Sequence, residues 1–120
     1  MKTVLVADDT DTGRELVRTV LENSGYTVVE AGDGLEAVRV ARERRPDLII
    51  LDLHMPDLDG FGVIQQLRAD ANFARIPIVA LTASAMFGDR ERALSVGFTA
   101  YVTKPISLGV LRGEVERLLR

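Results

Sequence analysis

The chain of 120 residues has no cysteine, no tryptophan and a single histidine, His54. Without cysteine there is no disulfide scaffold, no thiolate metal site and no Cys nucleophile. One imidazole excludes zinc centres built on several. No apolar run approaches the ~20 residues that cross a bilayer, and the opening run meets Asp8 and Asp9 too early for a signal peptide. A basic excess is also missing. With 15 Lys+Arg against 18 Asp+Glu the formal charge is −3, which leaves no electrostatic footprint for nucleic acid. The expectation is a cytoplasmic protein that engages neither membrane nor nucleic acid directly. What is present is 47% hydrophobic and 28% charged residues, ordinary for a folded domain and unlike a disordered chain. The length suits one domain over residues 1–120.

Two hydrophobic periods take turns along the chain. Lys2 to Ala7 is a short β-rich run. Leu16, Val17, Val20 and Leu21 then mark a helical face that Gly25 ends. Tyr26 to Glu30 is a second short run. Asp33 with Glu36 three residues on predicts a capped helix start, and Gly34, Ala37, Val38 and Ala41 form its apolar face up to Pro46. Asp47 to Asp52 is apolar at every interior position, so this strand is expected to be covered on both faces. Phe61, Ile64 and Leu67 mark a third helix. Ile76 to Leu81 is a fourth strand, Met86 to Val96 a fourth helix ended by Gly97, and Thr99 to Thr103 an edge strand with polar interruptions. Ser107 can N-cap a last helix carrying Leu108, Leu111, Val115 and Leu118. The sum is a βα unit repeated five times, which predicts an α/β fold with an open parallel sheet and helices on both sides.

Ligands of such sheets sit beyond the carboxyl ends of the strands. The first strand ends in Asp8 and Asp9, the third in Asp52, the fourth in Thr82, Ala83 and Ser84, and the fifth in Lys104 and Pro105. Three carboxylates at one edge repel unless a cation compensates. Short-stemmed oxygen ligands suit a hard divalent ion, Mg²⁺ in particular. A Lys ammonium and a Thr hydroxyl suit phosphoryl oxygens, small side chains leave room for a tetrahedral group, and a rigidly held carboxylate can accept a phosphoryl group as an acyl phosphate. Asp52, at the end of the most apolar strand, is the expected nucleophile.

Asp8-Asp9, Asp52 with Met55-Pro56 and Gly60, Thr82-Ala83, and Lys104-Pro105 resemble, in order and over essentially the whole chain, the motif set of the response-regulator receiver domain of two-component signalling. The resemblance implies a (βα)5 doubly wound, three-layer fold with strand order 2-1-3-4-5. It implies a phosphorylatable Asp52, with Mg²⁺ (or Mn²⁺) held by Asp9, Asp52 and the backbone carbonyl of His54, and by Asp8 through water. It implies Thr82, Ala83 and Lys104 as phosphoryl contacts and a cis Lys104–Pro105 bond. Thr82 and Tyr101 match the family's switch pair, acting on a face formed by the fourth helix, fifth strand and fifth helix, near Met86, Phe87 and Ile106. The implied partners are a sensor histidine kinase or histidine phosphotransfer protein and a downstream protein target. The run Ala80 to Met86 with Lys104 to Ser107 is similar to single-domain regulators of the cell-division type and to receivers of hybrid kinases.

Blander readings exist for each group alone. Asp8 and Asp9 suit a helix N-cap, Thr82 a β-former, Lys104 an edge-strand gatekeeper, His54 a solvated loop and Tyr101 a packing position. Their joint placement at strand ends favours the receiver reading. Two other function classes stand beside it: a phosphatase using Asp9, suggested by Asp9-Thr10-Asp11, and a constitutive binding module. The phosphatase pattern needs a further acidic strand end after the lysine, and only the last helix follows Lys104. Asp57 to Gly60 fails as a calcium loop because Met55 occupies the first ligand position.

Overall fold

The computed structural model describes residues 1–83 and 89–120, Asp89 by its backbone alone. The strands are β1 (Thr3–Ala7), β2 (Thr27–Ala31), β3 (Leu48–Asp52), β4 (Ile78–Thr82) and β5 (Ala100–Thr103). The helices are α1 (Asp11–Asn23), α2 (Gly34–Arg44), α3 (Gly60–Arg68), α4 (Asp89–Ser95) and α5 (Leu108–Leu118), with a 3-10 turn at Ala71–Phe73. All strand pairs are parallel and the order is β2-β1-β3-β4-β5, as expected. Of the predicted fourth helix, Met86 to Gly88 lie outside the described residues.

Every residue of β3 and β4 is buried. Alternation of side chains across the sheet divides the core in two. Leu5, Ile49, Leu51 and Ile78 face Ala37 and Ala41 of α2, Val63, Ile64 and Leu67 of α3, and Ala93 of α4. Val4, Val6, Ile50 and Leu81 face Val17 and Leu21 of α1 and Leu111 and Val115 of α5. Both edges are polar: Glu30 interrupts β2, and β5 carries the exposed Thr103. Among the described residues no helix is long and apolar enough to cross a membrane.

Local chemistry sets the helix ends. Asp33 Oδ1 accepts from the Glu36 N–H at 2.8 Å, and the Glu36 carboxylate reaches back to the Gly32 N–H at 3.1 Å, one residue earlier than in the usual reciprocal cap. Asp59 and Ser107 cap α3 and α5. Gly25, at φ +94°, closes α1 with Gly25 N donating to Glu22 O and Tyr26 N to Leu21 O, the five-to-two and six-to-one bonds of a Schellman motif. Gly97, at φ +113°, closes α4 in the same way. α2 ends on Arg45 in the left-handed region, a conformation that Pro46 behind it does not require.

One expected face turned. Val17 and Leu21 bury, whereas Leu16 is 50% exposed. It lines a cleft of about 370 Å³ with Asp8, Thr12, Lys104 and Ile106.

Candidate functional site

The site forms at the carboxyl edge of the sheet because β1 and β3 are hydrogen-bonded neighbours in a register that pairs Ala7 with Leu51. The next residues, Asp8 and Asp52, therefore emerge side by side. Both are buried, at 1% and 3% exposure, while Asp9 turns outward. Carboxylate oxygens of Asp8, Asp9 and Asp52 all lie within 4.8 Å of one another.

Backbone donors hold each buried carboxylate. Asp8 Oδ1 accepts from the Thr10 N–H at 2.9 Å, and Asp52 Oδ1 from the His54 N–H at 3.0 Å. The second oxygens meet at one cation. Lys104 Nζ donates to Asp52 Oδ2 at 2.9 Å and to Asp8 Oδ2 at 3.1 Å. The lysine is delivered by β5, whose end is fixed by the bond from Lys104 N to Thr82 O at 2.7 Å. The Lys104–Pro105 peptide is cis.

Burial pushes the Asp52 carboxyl above its ordinary range. The Lys104 ammonium and the His54 N–H oppose that rise without cancelling it, and the Asp8 charge adds to it. Burial alone would lower Lys104, but its bonds to Asp52 and Asp8 outweigh it and leave the ammonium raised.

Thr82 is fully buried at the end of β4, and Ala83 beyond it is exposed. Tyr101, on the edge strand, is half-buried and packs against the core on the α2–α3–α4 side. His54 is exposed, so its side chain stands clear of the buried carboxylates while its N–H serves one of them. The sequence reading brought Asp8, Asp9, Asp52 and Lys104 to one edge, and the structure joins them there. Ser84, Met86 and Phe87 lie outside the described residues.

Sequence reasoning missed Arg14. Its Nη1 donates to the Asp8 carbonyl at 2.6 Å, Nε to Glu30 at 3.2 Å and Nη2 to Asp11 at 2.6 Å. One guanidinium thus ties the loop after β1 to β2 and to the first turn of α1. The signal available was Glu30, an acid inside a short strand, which needs a cationic partner. Gly60 was quoted only as part of a motif. Its role is steric: a Cβ there would stand 2.7 Å from the Asp52 carbonyl oxygen.

The acidic group fits a hard divalent ion on its donor chemistry, since it offers carboxylate oxygens alone on short stems. The comparisons agree with the class of site. The family model of the response regulator receiver domain matches residues 4–116. The chain belongs to this family, and is a receiver domain of the two-component type. It is 42% identical over 107 residues to the polar-differentiation response regulator DivK of Brucella anthropi, covering 89% of this chain and 87% of that one. Among solved structures, the chemotaxis protein CheY4 of Vibrio cholerae superposes with a TM-score of 0.93 at 33% identity over 99% of both chains. The receiver domain of the sensor histidine kinase PA1611 of Pseudomonas aeruginosa has a TM-score of 0.90 at 36% identity, covers 98% of this chain and 97% of that one, and holds a magnesium ion in its active-site cleft.

Proposed function

We propose that this receiver takes a phosphoryl group onto Asp52 from a phosphohistidine of a histidine kinase or phosphotransfer protein in the cytoplasm. The carrying observation is the position of Lys104, whose single ammonium touches both Asp52 and Asp8. Asp52 Oδ2, now on that ammonium, is the oxygen placed to attack. A new O–P bond forms as the P–N bond to the donor imidazole breaks, and the imidazole leaves neutral with its electron pair on nitrogen. Lys104 then transfers its contact from the carboxylate to a phosphoryl oxygen, where a mobile ammonium serves as a point charge. Thr82 and the backbone at Ala83 supply donors to the remaining oxygens. The rigid, buried end of β3 fixes the direction of attack, so positioning and charge stabilisation do most of the work.

Asp9, Asp52 and the His54 carbonyl would hold Mg²⁺, with Asp8 acting through water. When bound, the ion supplies positive charge against the carboxylates and the incoming phosphoryl oxygens.

Phosphorylation switches a downstream protein only through a preference for one of two arrangements. Thr82 moving toward the phosphoryl group opens space that Tyr101 fills, and this repacks the face made by α4, β5 and α5, with Ile106 at its edge. The test uses beryllofluoride and Mg²⁺. Amide resonances around Thr82, Tyr101 and Lys104 shift in the wild type and stay unchanged in Asp52→Ala. An equal response in both, or none in the wild type, contradicts the assignment. Steady phosphoester turnover surviving Asp52→Ala but lost in Asp9→Ala would instead mark a phosphatase. Partner binding indifferent to Mg²⁺ and phosphodonor would mark a constitutive module.

A further inference from the structure

We propose that the groove between α3 and α4 is a second recognition surface, one that takes an acidic, leucine-rich peptide segment of a partner protein. The groove has a volume of about 590 Å³ and is lined by Phe61, Gln65, Arg68, Ala69, Arg92 and Val96. From Phe61 to Ala69 it follows α3 for about 12 Å, at 1.5 Å per residue. It shares no residue with the acidic edge.

The charge of this groove is opposite in sign to that of the chain. The protein carries −3, yet the lining contains two arginines and no carboxylate. Arg68 forms its base. Its five N–H groups go to Gly97 O twice, Phe73 O, Ile76 O and Thr99 Oγ1, all neutral acceptors. The donors are used, but the positive charge has no carboxylate against it among the described residues. Asp70, two residues on, is directed to Arg42 and to the Asn72 N–H.

Arg92 is the exposed group that can meet a ligand. Its guanidinium carbon sits 4.0 Å from the centre of the Phe61 ring, and Phe61 is steadied by an edge contact to Phe98 at 6.2 Å. The stacking holds the guanidinium in place by cation–π attraction, and among the described residues no acceptor takes its N–H groups. Val96, 42% exposed, adds an apolar wall beside it. Pre-oriented charge next to exposed aliphatic surface suits a carboxylate followed by an apolar side chain.

The same features disfavour a nucleotide. The Phe61 ring is already covered by Arg92, so the groove offers no bare aromatic face for a base.

The experiment measures fluorescence anisotropy of a short labelled peptide of alternating glutamate and leucine with the whole chain. Binding is expected to weaken about tenfold or more in Arg92→Glu, and also in Gln65→Glu, which leaves the Arg92–Phe61 stack untouched. It should be unchanged in Arg44→Glu, an equal charge change on α2. Absence of binding to the wild type, or equal weakening in all three variants, overturns the proposal. So does Arg92-dependent binding of ATP in place of the peptide. Circular dichroism checks that the exposed substitutions leave the fold intact. Arg92→Glu should keep the beryllofluoride response at Asp52, so failure here is separable from failure of the phosphoryl-acceptor reading. Loss of that response would overturn the independence of the two surfaces.

Discussion

Lys104 Nζ lies 2.9 Å from Asp52 Oδ2, joining the end of β5 to the end of β3 across the intervening β4. The ammonium is held above the ordinary 10.5 of lysine because its bonds to Asp52 and Asp8 outweigh the burial that would lower it. A raised lysine contributes stability that is complete below its unfolded value and is lost as pH rises through the folded one. Lys104→Met should therefore lower stability by about 2 kcal/mol at pH 7, a figure reduced for the partial exposure of the lysine. The gap to the wild type should narrow above pH 10.5. Urea denaturation in EDTA across that range checks it, and a constant gap contradicts it.

Asp52 has the opposite relation to folding. Burial raises its carboxyl above the ordinary 3.8 despite Lys104 and His54. Between the unfolded and folded values the native state binds more protons, so its contribution to stability falls as pH rises through that window. Asp52→Asn, which keeps an oxygen for Lys104, should be more stable than the wild type at pH 7 without divalent ions. The advantage should shrink as pH falls through that window and vanish well below 3.8, where the wild-type carboxyl is protonated in both states. Melting temperatures of both proteins from pH 3 to 7 decide the matter.

Glycines divide by what surrounds them. A Cβ on Gly34 would stand 1.8 Å from the Leu58 carbonyl oxygen, a backbone atom with nowhere to yield, whereas Gly113 in α5 has nothing within 4 Å. Gly34→Ala should cost about 1–3 kcal/mol or more, as overpacking does. Gly113→Ala should gain about 1 kcal/mol from helix propensity alone. Chemical denaturation of the two variants is the check, and similar effects of like sign would contradict the packing at Gly34.

The layout of the fold was legible because its strands are apolar at successive positions and its helices are not. Asp33, Ser107, Gly25 and Gly97 marked helix ends by side-chain oxygen or by freedom at positive φ. The acidic edge was legible because Asp8, Asp52 and Lys104 are groups a buried strand end does not otherwise favour. Residues acting through long, folded-back contacts were not legible. Arg68 looks like a solvated residue in the last turn of α3, yet all its donors turn inward. Arg14 reads as the polar face of α1 until β2 brings Glu30 beside it. The Gly34–Leu58 approach joins the first turn of α2 to the loop before α3, a pairing whose separation in sequence carries no local signal. Leu16 fits the helical period, but the path of α1 leaves it over the cleft beside Lys104.

Arg14 yields a prediction of its own as a positioning residue. Its bond to the Asp8 carbonyl holds the loop that carries Asp9. Groups that orient ligands from behind typically matter about tenfold or more in metal affinity. Arg14→Ala should weaken Mg²⁺ binding by about that factor, measured by calorimetry or amide shifts, with Arg14→Lys restoring part of it. Unchanged affinity in Arg14→Ala would contradict the positioning role.

The most direct test of the central claim is intact-mass spectrometry after incubation with acetyl phosphate and Mg²⁺. The account predicts a gain of one phosphoryl group in the wild type that is removed by hydroxylamine, as an acyl phosphate is, and no gain in Asp52→Ala. A phosphoryl adduct that persists in Asp52→Ala, or a wild type that gains none, would contradict it.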